Sequence, residues 1–258
     1  MKITNTIGAS CPPLTKIPFD EVMQQISGKF RHWEITSEVE HAVQKLVPCF
    51  EECTQGSGMS FSIHSSIADT NIAAVNDRMN EASVMEIMSE IEVAAEMGID
   101  LITVHPGLTC RSVEGMRDRS LAKSKCALRI LEHAGEEYGV KVGVENMPDI
   151  PIFLGITAKE LNSLVEGTNL GITFDIGHAH TSGQTVEIID CLRERFVNVH
   201  IHDNHGESDE HLTIGDGTVD YGYVLSCLSD YYGYYIIESK SMESAVESKE
   251  RLLYMFGQ

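Results

Sequence analysis

Leu170-Gly-Ile-Thr-Phe-Asp175, followed at once by Ile176-Gly177-His178, carries the pattern on which this chain is built. A short β-prone apolar run ends on a carboxylate, a glycine gives the backbone freedom to turn, and a histidine follows three residues on. Working outward, similar runs occupy residues 3–7, 32–35, 59–64, 101–105, 140–145, 196–202 and 234–238. Amphipathic stretches of helical length separate most of them. Eight strands alternating with helices in 258 residues predict an α/β chain folded as a single (β/α)8 TIM barrel over 1–258. A doubly wound open sheet competes, but it wants a glycine-rich phosphate loop after the first strand. Gly8-Ala-Ser-Cys-Pro-Pro13 contains no G-x-G-x-x-G.

Local signals add detail. Ser83…Glu86 and Thr157…Glu160 read as capping boxes that open helices. Gly98, Gly139 and Gly233 stand shortly before strands, where a helix ends or a turn begins. Met79, Met85, Met88 and Met97 read as core filler. Glu86, Glu90 and Glu92 read as a solvated face, and Tyr231–Tyr235 as packing at the barrel bottom, with a subunit contact as the alternative.

Composition narrows the function classes. Nineteen Lys plus Arg face 39 Asp plus Glu, a net charge of −20. The balance disfavours a chain that holds nucleic acid through its overall charge, and leaves open a locally basic or metal-lined groove. No apolar run reaches membrane-spanning length, and Met1-Lys2-Ile3-Thr4-Asn5 does not open a signal peptide. Seven scattered cysteines without a C-x-x-C pair predict reduced thiols in a cytoplasmic protein.

Six consecutive runs end on or beside a metal-competent residue: His64, His105, Glu145, Asp175, His200 and Glu238. One such residue at a strand end is ordinarily a solvated terminus. Six on successive parallel strands share one rim, where barrel active sites lie, and predict a metal site. His178, Asp209 and His211 thicken the set. Imidazole mixed with carboxylate suits Zn2+ best, with Mn2+ or Fe2+ next and Mg2+ alone disfavoured. Lacking cysteine, the set does not read as a closed structural zinc site. His180 and His202 read as packing or supporting residues, and His32, His41, His133 and His205 as structural or solvated.

At Thr103-Val-His-Pro-Gly107, Val144-Glu-Asn146, Thr173-Phe-Asp-Ile-Gly-His178, Val199-His-Ile-His-Asp-Asn204 and Asp209-Glu-His-Leu212 the chain resembles the xylose isomerase-like TIM-barrel superfamily. That superfamily includes endonuclease IV, sugar isomerases and epimerases, and inosose dehydratases. The resemblance implies a one-metal site on Glu145, Asp175, His200 and Glu238, as in the sugar branch. It also implies that the five further ligands of the three-zinc endonuclease IV branch have counterparts in His64, His105, His178, Asp209 and His211. Trp33-Glu-Ile-Thr-Ser37 and Glu145-Asn-Met-Pro148 are closer to the small-substrate members. Residues 203–210 lack the substrate-gripping Arg of the epimerases, and Arg111, Arg117 and Lys240 are the main rim cations.

The leading expectation is therefore a divalent-metal-dependent isomerase or epimerase of a small sugar or sugar phosphate, working through an enediolate. Glu145 and Glu238 would move the proton, His178 and His105 would hold hydroxyls, and one to three ions would be the only cofactor. A zinc-dependent AP endonuclease cleaving DNA is the alternative, and a dehydratase-like lyase a further one. Nucleic acid is a partner only under the endonuclease reading.

Overall fold

The computed structural model describes residues 6–257. Its centre is a closed barrel of parallel strands in sequential order. They are β1 (Ile7–Ser10), β2 (His32–Thr36), β3 (Ser60–His64), β4 (Leu101–Val104), β5 (Lys141–Glu145), β6 (Gly171–Asp175), β7 (Phe196–Ile201) and β8 (Tyr234–Glu238). β8 returns to β1, where Ser10 lies opposite Glu238. Around it run α1 (Phe19–Ile26), α2 (Val43–Thr54), α3 (Asp77–Glu96), α4 (Met116–Tyr138), α5 (Ala158–Val165), α6 (Ile176–Thr181), α7 (Thr185–Leu192), α8 (Tyr221–Cys227) and α9 (Met242–Met255). The expected first strand, 3–7, falls mostly outside the described residues; the strand itself runs on to Ser10. No described helix is long and apolar enough to cross a membrane.

Alternate residues of a strand share a face, and here the two faces differ in kind. Trp33, Ile35, Ile63, Val104, Phe174, Val199 and Tyr235 join the apolar layer that includes the helices' buried faces. The residues between them turn into the barrel and are mostly polar, with Ile236 an apolar exception beside Gly8 and His32. Thr103 and Thr173 hydrogen-bond across the lumen at 2.9 Å. Glu34 accepts from Ser62 and from Asn198, both at 2.8 Å. Toward the bottom, His32 bonds Ser60 and Ser62 and stacks on Tyr234. Burial pushes the His32 imidazole down to about 4, so it sits there neutral.

Several local expectations change. Ser83 lies inside α3 and donates to the Met79 carbonyl; the helix is capped by Asn76, which accepts from the Arg78 and Met79 amides. Thr157 does cap α5, but Glu160 turns to Arg117 and to the Gly155 amide rather than closing a box. Gly98 and Gly139 take left-handed backbone. Gly233 does not, and instead leaves room for the Tyr231 ring. Met79, Met85 and Met88 are exposed, because Val84, Ile87 and Ile91 supply the buried face of α3. Glu90 is fully buried rather than solvated. Its carboxylate accepts from the Ser66 amide beyond β3, and burial pushes it up to about 7. Tyr235 packs in the core and Tyr231 against it, as expected, while Tyr232 is exposed.

Removing the Asn76 cap leaves two amides of the first turn of α3 without their side-chain acceptor. Asn76→Ala is expected to lower stability by about 1 kcal/mol, read as a shift in the urea midpoint at unchanged slope.

Candidate metal centre

The strand ends bring the sequence-predicted residues together. His64, Glu145, Asp175 and Glu238 close β3, β5, β6 and β8; His105 follows β4 directly, and His200 is the penultimate residue of β7. His178 lies in the first turn of α6, whose N-cap Asp175 accepts from the His178 amide. Asp209 and His211 arrive on the loop between β7 and α8. Ligand atoms gather into three groups, each within 4.8 Å: His64–His105–Glu145, Glu145–Asp175–His200–Glu238, and His178–His202–Asp209–His211. The last contains His202, which the sequence reading left outside the ligand set.

Glu145 joins two groups. One oxygen lies 2.9 Å from His105 Nε2 and 3.3 Å from His64 Nε2, the other 3.0 Å from His200 Nδ1. Burial alone would raise its carboxyl, but the imidazoles, His200 foremost, hold it well below the usual carboxylate range. His200 also lies 3.3 Å from Glu238. Burial opposes charge on His64, His178 and His200, yet the facing carboxylates raise all three, His64 to about 9. His105 goes the other way, burial outweighing Glu145.

Sequence reasoning missed Glu34. It lies on β2, fully buried, with Oε1 2.8 Å from His200 Nε2. Burial works against its charge, but His200 brings it down to about 2. A carboxylate behind a histidine fixes the ring so that the other nitrogen faces forward; Glu34 thereby aims His200 Nδ1 at Glu145 and Glu238. The signal was available, since an acid alternating with Trp33 and Ile35 must enter the lumen.

The donor chemistry fits divalent cations. Asp175 Oδ2, Asp209 Oδ1 and both His202 nitrogens are buried without hydrogen-bond partners, and such orphans point to an unseen ligand. A cavity of about 250 Å3 opens above Glu145 and Glu238, walled by Ile67, Met147, Pro148, Ile150 and Phe153, and no Lys or Arg lines it. A larger groove of about 630 Å3 lies beside it and holds Arg111 and Arg117, but none of the clustered ligands reaches that groove. Arg117 is engaged by Glu160 at 2.6 Å. His133 and His205 are solvated, His32 and His41 buried and hydrogen-bonded, and His180 bonds Thr218.

A family model described as xylose isomerase-like TIM barrel matches residues 16–255. An uncharacterized protein of Methanocaldococcus jannaschii is 36% identical over 232 residues, covering 86% of this chain and 79% of that protein. The crystal structure of a D-tagatose 3-epimerase-like protein superposes with a TM-score of 0.91 at 33% identity, covering 98% of this chain and 97% of that one. A probable endonuclease 4 of Citrifermentans bemidjiense is 29% identical over 153 residues, covering 57% of this chain and about half (52%) of its own length.

Imidazoles raised in the folded protein stabilise it fully below their unfolded value near 6.5, and that contribution is lost as pH rises through the folded value. For His64 the window ends at about 9. The metal-free protein is expected to lose melting temperature between about pH 6.5 and about pH 9, and added Zn2+ to restore it by taking over the carboxylates' neutralisation. Calorimetry with and without metal across that range checks this; a metal-free melting temperature that rises with pH would contradict it.

Proposed function

The chain belongs to the xylose isomerase-like TIM-barrel family, and we propose that it is a divalent-metal-dependent isomerase or epimerase acting on a small sugar. The observation that carries this reading is the floor of the 250 Å3 cavity, where Glu145 and Glu238 flank His200 beneath walls that carry no Lys or Arg. Resemblance to a D-tagatose 3-epimerase-like protein over nearly the whole of both chains supports it.

Isomerisation and epimerisation both require removal of a weakly acidic proton beside a carbonyl. Glu145, Asp175, His200 and Glu238 would hold the divalent ion, which when bound supplies Lewis acidity to the carbonyl and its neighbouring hydroxyl. Glu145 and Glu238 stand three strands apart around the barrel and address the substrate from different sides. One accepts the proton, giving an enediolate, and the other returns a proton to that carbon or its neighbour. Glu145, held ionised by the imidazoles around it, is able to accept. Glu34 keeps His200 turned toward both carboxylates. His105, partly buried at the cavity wall, is placed to hold a hydroxyl. Ile67, Ile150 and Phe153 cover the reacting end and limit water.

One observation favours phosphodiester cleavage instead: the whole nine-residue set named from the endonuclease branch is present on one rim. Against it stand the absence of Lys and Arg from the cavity wall and the net charge of −20. Incubating metal-loaded protein with free ketohexoses in D2O, with deuterium incorporation beside the carbonyl followed by NMR, tests the first reading. Glu238→Gln is expected to slow that exchange by about 10²–10⁴-fold. Incision of an abasic-site duplex by the parent protein, without any exchange on sugars, would reverse the assignment.

A further inference from the structure

Behind the cavity wall lies a second, smaller space of about 160 Å3, lined in part by Ile72, Ile87 and Leu108. Ile67, His105 and Phe153 line both spaces, so these side chains form the partition between them. Two of them are pinned by close neighbours. His105 lies 2.9 Å from Glu145. Phe153 meets the His105 ring edge-on at 6.4 Å and pairs with Leu108 through an antiparallel bridge. Ile67 remains 39% exposed, and its place is set through the backbone.

Once the chain leaves β3, its amides need acceptors outside the strand ladder. Three consecutive ones find carboxylates. Ser66 donates to Glu90 on α3 at 3.1 Å, and Ile67 and Ala68 both donate to Glu38 Oε1, at 2.7 and 2.8 Å. The Thr70 hydroxyl donates to the Ser66 carbonyl and closes the turn. Hydrogen bonds to an ionised acceptor are roughly twice as strong as neutral ones. Glu38 itself stands on a constrained turn just past β2. Its amide donates to the Thr36 carbonyl at 2.8 Å. The next residue, Val39, is held at φ 51°, a left-handed conformation that β-branched residues rarely adopt. Such strain persists only where the surroundings impose it; Lys45 Nζ grips the Val39 carbonyl at 2.7 Å.

We propose that Ile67, held in place by Glu38, determines the specificity of the cavity by closing it off from the smaller space behind. The inference rests on the sugar reading above and names its substrate class: free monosaccharides, neither phosphorylated nor alkylated. At about 250 Å3 the cavity falls below the range of about 300–1,000 Å3 typical of drug-sized ligands, and opening the partition would bring it into that range. Neither space is lined by Lys or Arg, so a phosphate finds no guanidinium or ammonium partner in either. The smaller space, walled mainly by apolar side chains, suits an alkyl extension once Ile67 is out of the way. Glu38 is a positioning residue, acting on the substrate only through Ile67.

Deuterium exchange by the metal-loaded protein is compared on a free ketohexose, its terminal phosphate ester and its terminal ethyl ether. The parent is expected to prefer the free sugar in kcat/KM. Ile67→Ala should raise kcat/KM for the ether relative to the free sugar by about tenfold or more, the scale of one or two methylenes in an apolar pocket. It should leave the phosphate ester as poor as before. Glu38→Ala should move the ether ratio in the same direction. It should also speed hydrogen exchange of the Ile67 and Ala68 amides, followed by NMR, by about tenfold or more. Glu38→Gln keeps a side-chain oxygen for both amides and should restore the parent's ratio and protection. A parent that favours the phosphate ester or the ether overturns the inference. So does an Ile67→Ala ratio equal to the parent's, unchanged amide exchange in Glu38→Ala, or a Glu38→Gln that behaves as Glu38→Ala. Exchange on none of the sugars overturns the underlying reading as well, whereas exchange on the free sugar with unchanged ratios in the variants overturns this inference alone.

Discussion

A carboxylate buried at the mouth of a barrel stays ionised only if positive or hydrogen-bonding groups surround it, and Glu145 is the residue on which this requirement falls most heavily. Its two oxygens face His64 on β3, His105 just beyond β4 and His200 on β7. Because it belongs to two of the three ligand groups, their spacing is set by one side chain at the end of β5. Protonated imidazoles meet the requirement when no metal is bound, and a divalent ion meets it otherwise. Binding metal thus exchanges protons for a cation within a nearly constant local charge.

Beneath the rim, the lumen performs a second task. A barrel interior filled by branched apolar side chains would serve stability alone. Here Ser62 and Asn198 fix Glu34, and Glu34 fixes His200, so the orientation of a rim imidazole is determined some way down the barrel. Buried polar networks of this kind hold their members in place, and a gap in one is costly. The apolar contribution comes instead from the layer between strands and helices, where Trp33, Phe174 and Tyr235 lie. Support of the site and stability of the fold therefore rest on opposite faces of the same strands.

Much of this was legible in the sequence, for a physical reason. A strand of period two that ends on a metal-competent residue states both its fold and the rim on which that residue falls, and β3 to β8 all do so at or beside their ends. What escaped was information that depends on partners distant in sequence. Ser83…Glu86 has the form of a helix start, but α3 already begins at Asp77, and Asn76 caps it. Glu90 looks solvated until the Ser66 amide is seen against it. The α3 methionines were assigned to the core because their outward angle depends on which stripe packs. Glu34 was readable from strand alternation, whereas the significance of His202 depends on a loop that returns nine residues later.

The cavity wall and the lumen column come from different parts of the chain. Ile67 belongs to the segment after β3, and Met147, Ile150 and Phe153 to that after β5, while Glu34, Ser62 and Asn198 lie within strands. Residues in one network change each other's effects, and those without shared partners change independently. Over generations the wall can drift one residue at a time, altering which molecules fit, while the column can change only by coordinated replacement. A barrel so divided can diversify its diet without re-inventing its chemistry.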